Sequence, residues 1–372
     1  MQIGIDARLN AYREGGITQY TRLLLASMAA QAPAERFIPL QHYRKRQPIV
    51  HAPNVHRATL VTPPHHRYEP WSLPVELWPR RLDLLHCPDF IAPRWRPCPA
   101  VITIHDLAFL HFPEILDREA RRFYGQIRTA AHNAEAVIAV SEATRSDSIQ
   151  LLDLPPSRIT VIYEAADPAF APLAGARQEQ RTIDGQPLCG DQFLLFVSTI
   201  EPRKNLETLL RALRLCLDRR PQEGYQLVVA GRPGWLAEPI YALMRELKLG
   251  DALVLLGAVG HDDLRWLYSA CRLYLNPSRY EGFGLPLLEA LACGAPALIA
   301  DNSSLPEVAG GAAVCIPTHD VEAWADTIAA FWSDSAARDE LGRRGPPRAA
   351  QFSWARAAHE TLTLYRRILG RA

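Results

Sequence analysis

Glu281-Gly282-Phe283-Gly284-Leu285-Pro286-Leu287-Leu288-Glu289, coming just after the apolar run Leu273-Tyr274-Leu275-Asn276, is the stretch that decides the fold. The apolar run reads as a buried strand, and Pro286 suits the first turn of a helix, where its missing N–H costs nothing. Gly282 and Gly284 let the backbone approach a ligand closely, and the free N–H groups around Phe283 to Leu285 can hold a diphosphate. A loop at the carboxyl end of a strand is where α/β sheets bind ligands. Glu281 and Glu289 bracket the helix start and can accept hydrogen bonds from different hydroxyls of one ligand. The plainer reading is a helix whose first acid suits the macrodipole and whose second is solvated.

Outward from this segment, short β-rich runs alternate with longer amphipathic segments, which predicts an α/β protein with parallel sheets. The pattern occurs twice. Strands from Gln2–Ala7 to Ile159–Tyr163 make one doubly wound sheet, and strands from Phe193–Ser198 to Ala313–Ile316 make a second. Helices are expected at Thr18–Ala30, Leu116–Asn133, Glu142–Leu152, Asn205–Asp218 and Leu285–Cys293, with a last one at Trp354–Leu369. Between Pro168 and Asp191 the periodicity fails and Pro, Gly, Gln and Arg dominate, which places an interdomain linker there. The expected domains are residues 1–175 and 190–350, followed by a helix over 351–372.

A second cluster, Glu201-Pro202-Arg203-Lys204-Asn205, also lies between a strand and a helix. Cations at a helix start oppose the macrodipole, so Arg203 and Lys204 suit an anion, Arg as a fork and Lys as a point charge. A solvated basic turn is the plainer alternative. Gly15-Gly16 opens the first helix after the first strand and can touch phosphate, yet a third glycine at dinucleotide spacing is missing. His105-Asp106 ends a strand of the first sheet, either as a site group or as a histidine bonded to backbone. Asp-x-Asp is absent from the sequence, and no His, Cys and carboxylate grouping has metal spacing, so no metal cofactor is expected.

Composition narrows the class further. Lys and Arg number 41 against 40 Asp and Glu, a net charge of +1 that offers nucleic acid no general attraction. Hydrophobic residues at 48% and charged residues at 22% are those of an ordinary globular protein. The seven cysteines lack a C-x-x-C pair and several sit in apolar runs, as buried free thiols do. With no signal-like start and no apolar run near the roughly 18–20 residues that cross a bilayer, a cytoplasmic protein is expected.

These motifs together resemble the retaining nucleotide-sugar glycosyltransferases of family 4, which have the GT-B fold. That resemblance implies two Rossmann-like doubly wound domains facing a central cleft, the first for the acceptor and the second for the donor. It also implies roles. Arg203 and Lys204 would stabilise the diphosphate leaving group, Glu281 would bond the donor sugar and Glu289 the ribose. Gly15 and Gly16 would close over the phosphates, His105 would sit beside the transferred sugar, and the final helix would cross back to the first domain. Gly4-Ile5-Asp6-Ala7-Arg8, His105-Asp106-Leu107-Ala108-Phe109 and Phe112-Pro113-Glu114 look most like mannosyltransferases of surface polysaccharide or lipid-linked glycan synthesis. GDP-mannose is the expected donor and a glycan or lipid-linked glycan the acceptor. Ala165-Ala166-Asp167 departs from the glycine turn that relatives often carry.

Other readings stay open: a UDP- or ADP-sugar donor, an epimerase or phosphorylase on the same architecture, or a non-catalytic nucleotide-sugar sensor or scaffold. A last stretch, Arg44-Lys45-Arg46 with His65 to Tyr68, Trp71, Leu73, Trp78, Arg80 and Arg81, combines aromatics and cations. It suits peripheral contact with an acidic membrane surface. The favoured reading of the two is an ordinary loop with its Trp side chains tucked in.

Overall fold

The computed structural model describes residues 1–12, 15–115 and 118–371. The chain divides into two compact units, Met1–Ala165 with Phe352–Ala372, and Ala166–Gln351.

In the first unit, β1 (Gln2–Asp6), β2 (Arg36–His42), β3 (Ala58–Leu60), β4 (Leu84–Cys87), β5 (Ala100–Ile104), β6 (Ala136–Ala139) and β7 (Ile159–Val161) form one parallel sheet in the order β3-β2-β1-β4-β5-β6-β7. β4, β5 and β6 are buried at every position, as strands covered on both faces must be. The strand order reverses between β1 and β4. Loops leaving such a switch point diverge and open a crevice at the strands' carboxyl ends. The helix Gly16–Gln31 carries Tyr20, whose ring meets Trp354 of the final helix Trp354–Ile368 at 5.7 Å. Further along that helix, the Tyr365 hydroxyl bonds the buried His86 Nδ1 at 2.6 Å, and His86 Nε2 bonds Thr103 Oγ1 at 2.8 Å.

The second unit holds β10 (Leu194–Val197), β11 (Leu227–Ala230), β12 (Leu253–Leu256), β13 (Leu273–Asn276), β14 (Ala297–Ala300) and β15 (Ala313–Ile316) in the parallel order β12-β11-β10-β13-β14-β15. Here the order reverses between β10 and β13, which sets a second switch point. The segment expected to be a linker instead begins the second unit and carries an antiparallel hairpin, β8 (Gln180–Ile183) with β9 (Gln186–Cys189). Asp184 (φ 51°) and Gly185 (φ 74°) are both left-handed, the two-residue turn that an Asp-Gly pair favours. That pair was the signal in the sequence.

Two other expectations change. The helix expected at Leu116–Asn133 is two helices, Arg118–Tyr124 and Ile127–Asn133, separated at Gly125-Gln126, and its expected first residues Leu116 and Asp117 lie outside the described residues. The aromatic stretch is not a loop with tucked-in Trp side chains but a helix, Glu69–Leu77, running into a short turn Trp78–Arg80. Leu73 and Leu77 are buried, whereas Trp71, Val75 and Trp78 are 68%, 73% and 69% exposed. Their spacing puts these three on one face. Among the described residues, no helix is long and apolar enough to cross a membrane.

Candidate functional site

At the switch point of the second sheet, the loop after β10 meets the loop after β13. Pro202–Lys204 forms a short 3-10 turn, and Asn205 follows at φ 57° before the helix Leu206–Arg219 begins. The two cations therefore precede the helix and do not occupy its first turn. Asn205 is buried and joins the loops: its Nδ2 donates to the carbonyls of Pro277 and Thr318, both at 3.0 Å, while Oδ1 accepts from Thr208 Oγ1.

That clamp brings Lys204 to Glu281. The buried ammonium donates to both carboxylate oxygens, at 2.7 and 2.8 Å, and Ser278 Oγ donates to the same carboxylate at 2.8 Å. Arg203 donates to the Tyr280 carbonyl at 3.1 Å and to Glu201 Oε1 at 2.9 Å, with Glu281 Oε2 3.7 Å away. Burial alone would push the Glu281 carboxyl upward, but the Lys204 and Arg203 charges outweigh it and hold the group below the usual carboxylate range. Ser303 Oγ accepts the Glu281 N–H and Ser304 Oγ donates to its carbonyl, so the residue's backbone is fixed as well.

Gly284 is the N-cap of the helix Leu285–Ala292 and stands at φ 96°; a Cβ there would lie 3.0 Å from Leu305 Cδ2. A glycine cap has no side chain to occupy the first-turn N–H groups, which leaves an anion as their natural partner. Gly282 and Phe283 are buried beside it. Glu289 lies on the helix's second turn and is buried, not solvated; Tyr268 donates to it at 3.0 Å. Burial pushes its carboxyl up to about 8, only partly offset by that bond.

In the first unit, His105 follows β5. Its Nδ1 bonds the buried Glu164 at 2.7 Å and its Nε2 bonds the Pro88 carbonyl at 2.9 Å. Both partners are acceptors, so an imidazole making both bonds is the protonated ion. Burial would lower its pKa, but the Glu164 carboxylate prevails and raises it. Gly15 is the extended N-cap of the helix Gly16–Gln31, with open space where a Cβ would stand.

The profile described as "Glycosyl transferases group 1" matches residues 180–348, and the one described as "Glycosyltransferase Family 4" matches residues 14–170. The O-antigen chain mannosyltransferase B of Escherichia coli is 32% identical over 284 residues, 76% of this chain and 74% of that protein. The chain is a family 4 glycosyltransferase. Its fold is the GT-B fold. Sucrose-phosphate synthase from Thermosynechococcus elongatus superposes with a TM-score of 0.80 at 21% identity, covering 100% of both chains. Anabaena HepE, in complex with UDP and glucose, gives 0.72 at 18% identity over 98% of each.

Within this glycosyltransferase, the residues singled out in the second unit converge: Arg203, Lys204, Glu281, Gly282, Phe283, Gly284, Leu285 and Glu289 all belong to the loops and helix at one switch point. Gly15, Gly16 and His105 belong to the other unit. Sequence reasoning missed the residues that hold these groups in place. Glu164 came just after a strand-like run, Asn205 was read only as the last member of the Glu201–Asn205 cluster, and Ser278, Ser303, Ser304 and Tyr268 carried no motif of their own. Only the left-handed tolerance of Asn hinted at a special turn.

Proposed function

We propose that this transferase is a retaining enzyme that moves mannose from GDP-mannose onto a glycan or lipid-linked acceptor in surface polysaccharide synthesis, without a bound metal. The observation that carries the reading is the buried Lys204–Glu281 pair, with Arg203 beside it, next to an uncapped helix start. When the sugar–phosphate bond breaks, negative charge develops on the diphosphate, and fixed cations with helix-start amides stabilise it electrostatically. The acceptor hydroxyl attacks the anomeric carbon from the face the phosphate leaves, and the departing phosphate oxygen takes its proton. A new glycosidic bond and a nucleoside diphosphate result, with the anomeric configuration kept. Mannose is supported by the identity to the E. coli O-antigen enzyme.

The second reading is the same reaction with a UDP-sugar, favoured by the likeness to HepE in its UDP complex. Thermal shift with GDP, UDP, ADP and their sugar nucleotides in EDTA decides between them: selective stabilisation by GDP and GDP-mannose is expected. A preference for UDP-glucose would overturn the donor. Response to none would favour a scaffold or a phosphorylase. Proton NMR of the product's anomeric signal tests retention, and an inverted anomer overturns it.

The exposed Trp71, Val75 and Trp78 face, with Arg67 and Arg81 nearby in sequence, supports peripheral attachment at the inner membrane face. Co-sedimentation with phosphatidylglycerol vesicles is expected, and Trp71→Ser with Trp78→Ser should abolish it. Equal sedimentation of the double variant would remove this role.

A further inference from the structure

His105 gives both ring N–H groups to acceptors, Glu164 Oε1 and the Pro88 carbonyl. Two such bonds define an axis about which the ring can still rock. What faces it across that axis is Tyr20 of the helix Gly16–Gln31, whose ring stands at 89° to the imidazole with the centroids 4.7 Å apart. A perpendicular ring in contact blocks the rocking and so fixes the plane in which both bonds are made.

Tyr20 is itself fixed from two directions. Its ring meets Trp354 at 69° and 5.7 Å, and its hydroxyl lies 3.2 Å from Thr103 Oγ1. Thr103 Oγ1 lies 2.8 Å from His86 Nε2, and His86 Nδ1 lies 2.6 Å from the Tyr365 hydroxyl. A chain of hydrogen bonds thus runs from Tyr365 through His86 and Thr103 to Tyr20, every member at most 1% exposed. Burial keeps His86 neutral and the Tyr20 hydroxyl protonated. A neutral imidazole donates one bond and accepts the other, so the chain closes without a stranded ring nitrogen. Trp354 and Tyr365 both belong to the final helix, about three turns apart and on one face of it.

We infer that Tyr20 is a positioning residue for His105, and that the final helix sets it in place through Trp354 and the chain from Tyr365. The helix that carries Tyr20 opens at Gly15-Gly16, so its first turn and the end of β5 are held as one frame. The titratable groups around the imidazole are Glu164 and Asp89, whose charges favour its protonated form, His86 on β4, which stays neutral, and Tyr20. Asp106, next in sequence, turns its carboxylate to the Ala108 N–H. The part His105 plays in the reaction rests on the transferase reading; the positioning does not.

NMR titration of the full chain, made with isotope-labelled histidine and with the His105 signals assigned from His105→Gln, tests this. Both ring nitrogens of His105 are expected to be protonated at neutral pH. Tyr20→Leu should lower the titration midpoint by about one pH unit, because rocking weakens both bonds while the burial that opposes the charge remains. Trp354→Leu should lower it by about half as much, and decides the matter if Tyr20→Leu does not fold. Tyr20→Phe, which keeps the ring, should hold the midpoint. An unmoved midpoint in Tyr20→Leu and Trp354→Leu, or a fall in Tyr20→Phe equal to that in Tyr20→Leu, would overturn the inference, however far Tm drops. Sugar-nucleotide turnover by Tyr20→Leu should fall about 10- to 100-fold with little change in donor KM. A lowered midpoint with full turnover upholds the positioning and removes His105 from the reaction; lost turnover with an unmoved midpoint overturns the positioning alone.

Discussion

Lys204 and Glu281 form a buried ion pair, and a group removed from such a pair leaves its partner charged and unsatisfied. Lys204→Met is therefore expected to cost about 3–5 kcal/mol of stability, measured by urea denaturation. It should also cost about 10²–10³-fold in turnover if the ammonium meets the leaving phosphate. Glu289 makes a different demand. Its folded-state pKa, near 8, lies above the usual carboxylate value, so the folded protein holds a proton that the unfolded chain gives up. Stability tied to this group is present at acid pH and is lost as pH rises from the ordinary carboxylate range through about 8. Glu289→Gln should flatten the fall in Tm between pH 6 and 8. An unchanged slope would mean the carboxyl is already ionised. A ligand that bonds the ionised form would release a proton, visible as a buffer-dependent binding enthalpy.

Between elements, β4 and the final helix meet through His86 and Tyr365. Burial pushes the His86 imidazole down to about 3, so it is neutral in the fold and takes up a proton on unfolding below its ordinary value near 6.5. Its contribution is present at neutral pH and lost as pH falls from about 6.5 towards 3. Tyr365→Phe strands the buried Nδ1 and should cost about 1–3 kcal/mol, read from denaturant midpoints; a cost near zero would mean water takes the hydroxyl's place. The strands of both sheets were legible because a parallel sheet buried on both faces needs apolar runs. Helix Glu69–Leu77 was not, since Pro70 and Pro74 look like punctuation, although Pro70 falls in the first turn and loses no bond there. The site was legible as residue types but not as pairs. Lys204 and Glu281 lie 77 positions apart and His105 and Glu164 lie 59 apart, and only the strand order makes them neighbours.

For the whole molecule, two units with separate sheets predict separate responses. Hydrogen exchange should slow around residues 203–205 and 281–289 on adding a nucleoside diphosphate, and stay unchanged in the strands of the first unit. Protection of the first unit as well by that one ligand would show coupling between the units. The first unit is also discontinuous: its core closes only when Phe352–Ala372 joins Met1–Ala165. On the ribosome the entire second unit is made in between, an interval on the order of 10–40 seconds at about 5–20 residues per second. Throughout that interval His86 and Tyr20 have neither Tyr365 nor Trp354 to pack against, so the nascent first half presents an unfinished apolar seam to the cell. Chaperone dependence should therefore follow translation speed, and a version rearranged so that the final helix is made first should shed it.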